Sequence, residues 1–571
     1  MTKQQSLPTT SVPREDYRRP AARPGALRLD GNEGSQPDPK LLESLAGLGP
    51  DLLRNYPDLT ELQREIAAKF RIDSGRVVVT AGADDAIDRV CRAFLGPGRE
   101  MLLPVPTFEM LHRFAVTAGG SIVAIPWCNV FPTDATIARI GEQTTLIAVV
   151  SPNNPTGQVA SLNDLQRVAA AAESRVVLLD HAYVEYADED LTEAALQLEN
   201  VAVLRTLSKA WGLAGCRVGY ALASPELANV IRNAGNPYPV SALSIAVALE
   251  ALRRGSASIA AHVDSVRVSR AYVTQRIQQL GVQVEPSQAN FVFAEFGERV
   301  RFVNDALASS DVVVRYFPHR PELARGLRIT IPDNQADSDR LIAALELCLS
   351  PEALLLDMDG VLADVEQSYR MCTLETARAF GAAIDHAQLE DAVLAGDANN
   401  DWVLTRRLLA AQGIDVSLAE VTDKYQELYH GTPDVRGLKE NERLIPPPAL
   451  LRDLATCLPL GIVTGRPREE AEWFLSREGV ADLFDTVVCL EDGPVKPNPA
   501  PVRAALHRLG VSRAWMVGDT PDDMRAAVSA GTLPIGVVAP GQDVNRSGTA
   551  LRHSGAAAVL TDLAALEELL P

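Results

Sequence analysis

The chain has 571 residues, 47% of them hydrophobic and 22% charged, which is typical of a soluble globular protein. This length exceeds what one hydrophobic core can serve and predicts roughly two to four domains. The formal net charge of −20 argues against a nucleic-acid-binding surface.

The cysteines, histidines and apolar runs narrow the class of protein further. Seven scattered cysteines without a Cys-X-X-Cys pair indicate reduced thiols, and the eight histidines form no metal-ligand spacing. No apolar run approaches the roughly 18 residues that span a bilayer. Residues 1–24 are polar and contain prolines, so we expect a flexible N-terminal arm rather than a signal peptide. We predict a soluble cytoplasmic protein with neither nucleic-acid nor membrane partners.

The segment from Leu29 to Asp58 contains two turn-rich stretches. Asn32 lies in the first of them, and in the second Pro57 forces Tyr56 into an extended backbone. A Tyr-Pro turn is usually structural, and the alternative is a tyrosine that reaches a phosphate.

The next two predicted strands end in turns that could serve a cofactor. Val77–Thr80 runs into a small-residue turn with Ala83 and Asp84, whose free N–H groups at a helix N-terminus suit an anion. Any strand-to-helix turn can look like this. The strand Glu100–Leu103 leads to Phe108, which could stack on a flat heterocycle or belong to the core.

Three further polar groups follow predicted strands. The strand Thr145–Val150 precedes a rigid Asn-Asn-Pro-Thr-Gly turn, in which the amide of Asn154 can donate to a phenolate. The strand Arg175–Leu179 ends at Asp180, a carboxylate that can keep a pyridine nitrogen protonated, and Tyr183 can reach the same ring. A strand-end aspartate is otherwise often a helix cap.

A lysine in a tight Ser-Lys turn follows the strand near Leu204. Lys209 can offer its amine to a cofactor aldehyde, and Arg217 can clamp a phosphate. Because strands alternate with helices, we predict a mostly parallel sheet with helices on both faces and a site beyond the carboxyl ends of the strands.

Residues about 28 to 348 resemble the fold-type I aminotransferases that use pyridoxal 5'-phosphate (PLP), and among them the histidinol-phosphate aminotransferases. The matching text includes Tyr56-Pro57-Asp58, Ser151 to Gly157, Asp180 to Tyr183, Arg205 to Gly219 and Leu327 to Thr330. The resemblance implies a large parallel-sheet domain, a small α/β subdomain and a homodimer.

The resemblance also implies roles for individual residues. Lys209 would be the Schiff-base lysine and proton shuttle, and Asp180 would pair with the pyridine nitrogen. Asn154 and Tyr183 would hold the ring oxygen O3′, and Phe108 would stack on the ring. The phosphate would be bound by the backbone of Ala83 and Asp84, by Ser208 and Arg217, and by Tyr56 from the second subunit.

Substrate contacts are implied for Asn32, Arg315 and Arg328, the two arginines acting as anion clamps. Each arginine could equally be an ordinary surface ion-pair residue. One departure concerns the substrate: the family usually continues Asn-Glu with Asn-Pro-Tyr-Gly, whereas here Gly34-Ser35-Gln36-Pro37 follows Glu33.

A second set of strand ends begins at residue 351. The apolar strand Ala353–Leu356 leads into Asp357 and Asp359, two carboxylates that can divide nucleophilic attack and proton transfer. The strand Leu460–Val463 leads into Thr464, Gly465 and Arg466.

Further along lie Lys496, which can neutralise a phosphoryl group together with Thr464, and the acidic residues Asp519 and Asp523. Asp357 and Asp519 together suit a hard cation such as Mg²⁺.

Residues 351–571 resemble the phosphatases of the haloacid dehalogenase superfamily. The resemblance implies that Asp357 is the nucleophile and Asp359 the general acid and base, that Mg²⁺ binds at Asp357, Asp359, Asp519 and Asp523, and that the phosphoryl group is held by Thr464, Gly465 and Lys496.

We expect residues 25–350 and 351–571 to be separate domains, and residues about 366–445 to form a helical cap with a loop at 396–402. That loop could recognise substrate or simply cap the next helix.

Two catalytic units so closely joined suggest consecutive steps. The aminotransferase would convert imidazole-acetol phosphate and glutamate into histidinol phosphate, and the phosphatase would release histidinol. The alternative keeps both chemistries but applies them to another phosphorylated ketone or sugar. A regulator that merely binds PLP and a phosphorylated ligand is disfavoured because Lys209 and Asp357 are present.

Overall fold

The computed structural model describes residues 20–47 and 49–570. Most of the predicted N-terminal arm, residues 1–19, therefore lies outside the described residues. No helix among the described residues is both long and apolar enough to cross a membrane.

Residues 27–349 contain both strands and helices. The strands are β1 Leu27–Arg28, β2 Val77–Thr80, β3 Glu100–Val105, β4 Ser121–Pro126, β5 Thr144–Val150, β6 Val176–Asp180, β7 Val201–Thr206, β8 Gly219–Leu222, β9 Gln283–Val284, β10 Phe291–Glu295, β11 Val312–Val313, β12 Arg315–Tyr316 and β13 Gly326–Thr330. The helices are α1 Lys40–Glu43, α2 Asp51–Arg54, α3 Thr60–Phe70, α4 Gly82–Phe94, α5 Glu109–Thr117, α6 Thr133–Ala138, α7 Leu162–Ala172, α8 Thr192–Ala195, α9 Pro225–Asn233, α10 Ala242–Arg254, α11 Ser256–Gln279, α12 Val300–Ser309 and α13 Gln335–Leu349.

Strands and helices also make up residues 353–569. The strands are β14 Ala353–Leu356, β15 Ala363–Asp364, β16 Gly431–Thr432, β17 Val435–Arg436, β18 Arg443–Leu444, β19 Leu460–Val463, β20 Thr486–Val488, β21 Ala514–Gly518, β22 Leu533–Val537 and β23 Ala558–Leu560. The helices are α14 Tyr369–Ala379, α15 His386–Ala395, α16 Asp401–Ala411, α17 Leu418–His430, α18 Pro448–Cys457, α19 Arg468–Arg477, α20 Ala500–Leu509, α21 Pro521–Ala530, α22 Val544–His553 and α23 Leu566–Leu569.

The predicted mostly parallel sheet is confirmed for the first half of the chain. Seven strands run in the order β2-β8-β7-β6-β5-β3-β4, with β8 antiparallel to both neighbours and the other pairings parallel. The central strands β5 to β7 are apolar along nearly their whole length, as strands covered on both faces must be. A smaller antiparallel sheet, β12-β13-β10-β9, forms the small subdomain.

The second half contains a six-stranded parallel sheet in the order β20-β19-β14-β21-β22-β23. Its central strand β14 is apolar and fully buried, and its carboxyl end delivers Asp357. The helices α14 to α17 fill residues 369–430, the region for which we predict a cap; that role stays a prediction.

By packing, the chain divides into two compact units. One is built on Leu27–Gly297 and Val313–Arg340, and the other on Ala22–Ala26, Glu298–Val312 and Leu341–Pro571. Helix α12 and most of α13 therefore pack with the second unit, although they precede residue 351 in the chain. The domain boundary at residue 350 stays a prediction.

Candidate active sites

A cavity of about 390 Å³ lies at the carboxyl ends of β5, β6 and β7 in the first unit. The predicted cofactor residues that line it are Ala83, Asp84, Phe108, Asn154, Asp180, Tyr183, Ser208, Lys209 and Arg217. Nine residues from several different turns thus meet at one place. The carboxyl ends of parallel strands lie at one edge of a sheet, so residues that follow different strands in the sequence meet there.

Tyr56 is the predicted cofactor residue that does not line this cavity. Its side chain is 80% exposed, and its ring stacks on Tyr238 with centroids 4.5 Å apart. Two exposed, stacked tyrosines outside the cavity are compatible with the predicted supply of Tyr56 to a second subunit.

Lys209 follows β7, and its amine points toward the cavity wall. Its Nζ donates to the carbonyl oxygen of Gly31 at 3.0 Å and lies 5.4 Å from the centre of the Tyr183 ring. The segment after Glu33 packs directly on this turn, because a Cβ at Gly34 would lie 1.9 Å from the Lys209 carbonyl oxygen. Only glycine fits there. The segment that differs from the family pattern therefore contacts the backbone of Lys209 directly.

Asp180 is the last residue of β6 and is 3% exposed. One carboxylate oxygen accepts from the Ala182 N–H at 3.0 Å. Burial raises the pKa of Asp180 to about 6, since it disfavours the charged form. A protonated ring nitrogen beside this carboxylate would supply the missing positive partner, so the residue fits a pyridinium group.

An anion cradle lies at the N-terminus of α4. Arg217 has one guanidinium nitrogen 3.2 Å from Asp84 Oδ2 and another 3.4 Å from Ser208 Oγ. A Cβ at Gly82, where φ is +81°, would lie 2.5 Å from this guanidinium. The close approach of a helix N-terminus and an arginine fits the phosphate of PLP.

Arg328 lines the cavity and orients the amide of Asn154. It lies in the middle of β13, one nitrogen donating to Asn154 Oδ1 at 2.7 Å and another to the Asp30 carbonyl oxygen. Because the amide oxygen of Asn154 is engaged, its NH₂ group is free to face the cavity. Arg315 is paired in register with Arg328 but is not among the residues that line the cavity.

Asn32 touches a predicted cofactor residue rather than open cavity. Its side-chain nitrogen donates to the Tyr183 hydroxyl at 3.1 Å, and its oxygen accepts from Thr330 Oγ1 at 2.8 Å. Asn32 is completely buried and has φ of 53°, a backbone conformation that asparagine tolerates better than most residues. Thr330 was not singled out from the sequence, because a threonine inside a strand carries no signal of such a contact.

The second site lies at the carboxyl end of the six-stranded sheet, around Asp357. Lys496 Nζ lies 2.8 Å from Asp357 Oδ1 and 2.5 Å from Asp523 Oδ1, and it donates to the Val463 carbonyl oxygen at 3.0 Å. Burial alone would lower the pKa of Lys496, but the two carboxylates outweigh it and raise the pKa. The lysine is therefore a fixed positive charge.

Three carboxylates surround the place where a cation would bind. Oxygens of Asp357, Asp519 and Asp523 lie within 4.8 Å of one another, and Asp519 Oδ1 is buried without a hydrogen-bond partner among the described residues. Burial and the neighbouring Asp523 raise the pKa of Asp519 to about 7. An all-oxygen cluster with one orphaned oxygen and excess negative charge fits Mg²⁺.

Two glycines keep this site open. A Cβ at Gly360, where φ is +74°, would lie 2.2 Å from Asp519 Oδ2. A Cβ at Gly465 would lie 2.2 Å from the Asn399 carbonyl oxygen. Because this predicted phosphoryl-binding residue is a glycine, the backbone of the 396–402 loop can pack against it. The neighbouring Thr464 uses its hydroxyl oxygen to accept from the Arg466 N–H at 3.1 Å.

Asp359 lies apart from the carboxylate cluster. Its Oδ1 accepts from Arg466 Nε at 2.7 Å and lies 2.6 Å from Arg466 Nη2. Asp359 still lines the small cavity that it shares with Asp357 and Asp519. The role of Asp359 as a metal ligand stays a prediction. Arg466 is a neighbour that the motif contained but sequence reasoning assigned no role.

The loop at 396–402 is fixed at both ends. The backbone N–H groups of Asp397 and Ala398 donate to the Asp522 carboxylate at 3.1 and 2.8 Å. Asn400 caps α16 by accepting from the Val403 N–H at 3.0 Å, which confirms the helix-capping interpretation. Recognition of substrate by this loop stays a prediction.

Comparisons with known proteins match two parts of the chain to two different families. The family described as aminotransferase class I and II matches residues 31–345, and the family described as haloacid dehalogenase-like hydrolase matches residues 351–531. The chain belongs to the aminotransferase class I and II family. Residues 351–531, which match the haloacid dehalogenase-like hydrolase family, follow the aminotransferase part of the chain.

Several individual proteins are similar to parts of the chain. Imidazoleglycerol-phosphate dehydratase of Phytophthora nicotianae is 44% identical over 38% of this chain and 52% of its own length, so the chain spans about half of that relative. Aromatic amino acid aminotransferase of Mycobacteroides abscessus is 35% identical over 54% of this chain and 89% of that protein. Histidinol-phosphate aminotransferase 1 of Nostoc sp. is 31% identical over 56% of this chain and 91% of that protein.

A solved structure carries the fold comparison. The crystal structure of histidinol-phosphate aminotransferase from Sinorhizobium meliloti in complex with pyridoxal-5'-phosphate is 25% identical, with a TM-score of 0.51. It covers 56% of this chain and 89% of its own. The fold-type I architecture predicted from the sequence is confirmed.

Proposed function

We propose that the chain is a bifunctional enzyme that transaminates imidazole-acetol phosphate with glutamate and then hydrolyses the product, histidinol phosphate, to histidinol. The observation that carries the proposal is that one chain holds both a cavity containing Lys209 and Asp180 and a buried carboxylate cluster around Asp357. The first suits an aldehyde cofactor, and the second suits a phosphate ester.

In the aminotransferase site, PLP would be held by the anion cradle around Arg217 and by the carboxylate of Asp180. Bound there, PLP supplies an electron sink for cleavage of a C–H bond next to nitrogen. Lys209 Nζ would take the proton from the carbon that carries the amino group of glutamate, and in the second half of the reaction it would deliver a proton to the carbonyl carbon of imidazole-acetol phosphate. Asn154 would orient the ring through its amide, while Arg328 would attract the phosphate or carboxylate of the substrate.

In the phosphatase site, Mg²⁺ would be held by Asp357 and Asp519 and would neutralise the phosphoryl oxygens when bound. Asp357 would attack phosphorus, and Lys496, 2.8 Å away, would hold the nucleophile and the transferred group in place. Asp359 would donate a proton to the leaving oxygen and later remove one from the attacking water.

The substrate assignment is supported by two kinds of relative. Histidinol-phosphate aminotransferases match over most of their own length, as the 91% coverage of the Nostoc protein illustrates. The Phytophthora relative is named for dehydrating imidazoleglycerol phosphate. Loss of water from its diol would give a ketone, imidazole-acetol phosphate, which is the compound that the proposed transamination consumes.

A second candidate keeps both chemistries but changes the substrate to another phosphorylated ketone or sugar. The observation that favours it is the contact of Gly34 with the Lys209 turn, at the place where the family text differs. A panel of phosphorylated ketones, each assayed with glutamate, separates the candidates. Preference for imidazole-acetol phosphate by kcat/KM supports the first candidate, and preference for a phosphorylated sugar supports the second.

A homodimer is part of the proposal, because Tyr56 lies outside the cavity of its own subunit. Mixing Tyr56→Ala with Lys209→Ala subunits would then regenerate some sites with both groups intact. Recovery of transamination above that of either variant alone is expected, and no recovery contradicts a shared site. Location in the cytoplasm stays a prediction.

A further inference from the structure

Arg466 is a buried charged group beside the phosphatase site. It is 1% exposed, and its guanidinium lies between two carboxylates, Asp359 and Glu442. Nε donates to Asp359 at 2.7 Å, and Nη1 donates to Glu442 Oε2 at 2.9 Å. A guanidinium fixed by two acceptors on different edges has one orientation.

The other faces of this guanidinium are also fixed. Its central carbon lies 4.6 Å from the centre of the Tyr369 ring and 5.4 Å from that of Phe474. Glu442 is held in turn, because the Tyr429 hydroxyl donates to its Oε1 at 3.1 Å. The aromatic contacts fix the plane of the guanidinium, and Tyr429 fixes the second carboxylate.

This arrangement matters because Asp359 is otherwise the least buried of the site carboxylates, with a side chain 29% exposed. A carboxyl group that must deliver a proton to one oxygen needs a defined direction. With Oδ1 engaged by Arg466, the remaining oxygen, Oδ2, is the one available to the cavity that Asp359 lines.

We propose that Arg466 is a positioning residue that aims the Asp359 carboxyl group at the leaving oxygen of the phosphate ester. The inference rests on the proposed phosphatase function. In the step concerned, a bond forms between a carboxylate oxygen of Asp357 and phosphorus, and the bond from phosphorus to the ester oxygen breaks. The proton of Asp359 passes to that ester oxygen, which leaves as an alcohol. Arg466 stabilises the carboxylate that remains.

The fixed arrangement also joins the acid to the helical segment. Tyr369 begins α14, and Tyr429 lies in the last turn of α17. The tyrosine that stacks on Arg466 and the tyrosine that holds Glu442 therefore both come from residues 369–430. The orientation of Asp359 therefore depends on helices outside the parallel sheet, through Arg466 as the connecting group.

The test compares two phosphate esters that differ in their need for a proton. An alkyl ester, histidinol phosphate, has a poor leaving group, whereas p-nitrophenyl phosphate leaves without protonation. The rate of leaving-group release in the first turnover is measured, because it precedes the water step in which Asp359 acts as a base on either ester. In the Arg466→Met/Glu442→Gln double variant, which removes one positive and one negative charge together, first-turnover release of histidinol from histidinol phosphate should slow roughly 100-fold, as loss of a general acid does. First-turnover release of p-nitrophenolate from p-nitrophenyl phosphate should change less than about threefold.

Three further proteins complete the design. Asp359→Asn should show the same selective loss, Arg466→Lys should recover part of the alkyl-ester rate, and Arg508→Met, a half-exposed arginine paired with Asp492, should behave as wild type. Equal loss on both esters in the double variant overturns the positioning role while leaving the phosphatase proposal intact. If wild type hydrolyses neither ester, or Asp357→Asn hydrolyses them as fast as wild type, the proposed function itself fails.

Discussion

The two candidate sites are built on the same kind of sheet edge but differ in space and charge. The cavity around Lys209 has a volume of about 390 Å³ and contains cationic and anionic groups, Arg217, Arg328 and Asp180 among them. The cavity around Asp357 has about 40 Å³ and is dominated by carboxylates, with Lys496 buried beside them. The first has room for an organic cofactor together with a substrate. The second suits a small cation and one phosphoryl group.

The difference teaches that parallel strand ends set where a site lies, whereas the local charge sets what it binds. In the first site, separate positive and negative groups face different parts of one ligand. In the second, three carboxylates share one small volume, and the pKa of Asp519 is raised by its burial and by the neighbouring Asp523. The predictions below test whether the two sites act as separately as this comparison implies.

The largest expected effect is loss of phosphate release in Asp357→Asn. Removal of a catalytic nucleophile should lower kcat by roughly 10⁴-fold or more. Transamination should stay within about twofold of wild type, because Asp357 belongs to the other site. Malachite-green phosphate release and 2-oxoglutarate formation measure the two steps, with the exposed Asp482→Asn as the control. A comparable loss in both activities would mean that the sites are not separate.

Lys209→Ala should lower kcat of transamination by on the order of 1,000-fold, since the amine is the only proposed proton carrier at the substrate carbon. The absorbance band of PLP attached to a lysine should disappear as well. Hydrolysis of added histidinol phosphate should continue at the wild-type rate. Lys40→Ala, an exposed lysine, provides the control. Retention of the absorbance band would assign the attachment to a different lysine.

Asp180→Asn should weaken PLP binding by about 10- to 100-fold, the scale expected for loss of a charge-assisted hydrogen bond. Equilibrium dialysis of PLP against the variant measures this directly. The exposed Asp188→Asn is the matched control. Unchanged affinity together with unchanged transamination would contradict the pairing of Asp180 with the ring nitrogen.

A smaller effect concerns stability of the metal-free protein. The pKa of Asp519 is about 7 in the folded chain, against about 3.9 in an unfolded one, so the folded state binds its proton more tightly. The free energy of unfolding should therefore fall as pH rises from about 4 to about 7, by up to about 1.4 kcal/mol per unit.

Denaturant unfolding in EDTA at several pH values measures this slope. Asp519→Asn should flatten it, whereas the exposed Asp453→Asn should not. Added Mg²⁺ should raise the unfolding temperature of wild type but not of Asp519→Asn, because only an intact site gains from binding. If the free energy of unfolding falls with pH equally in wild type and in Asp519→Asn, the Asp519 carboxylate does not cause the pH dependence.

Much of this architecture could be predicted because its signals are local. The strands Ala353–Leu356 and Leu460–Val463 have the bounds expected from their apolar runs, and the polar residues after them meet at one edge. The strand expected at Glu100–Leu103 extends to Val105, because Pro104 is compatible with a strand whose hydrogen bonds do not need its nitrogen.

The contacts that could not be predicted join residues far apart in sequence. Arg466 contacts Glu442, which precedes it by two strands and a helix, Thr330 contacts Asn32 across nearly the whole first unit, and Gly34 packs on Lys209. No periodicity or turn signal records such pairings, since they depend on how separate elements are placed. Arg328 lies in the middle of β13, an inner strand of the small sheet, so a strand rather than a loop carries it to the cavity.

The most direct test of the central claim, two independent chemistries in one chain, follows both products in one reaction. Glutamate and imidazole-acetol phosphate are incubated with wild type, with each of Lys209→Ala and Asp357→Asn, and with a mixture of the two variants. We predict that wild type yields 2-oxoglutarate and phosphate, and that Lys209→Ala yields neither. Asp357→Asn should yield 2-oxoglutarate and accumulate histidinol phosphate, and the mixture should again release phosphate. Phosphate release by Lys209→Ala, or failure of the mixture to release any, would contradict the account.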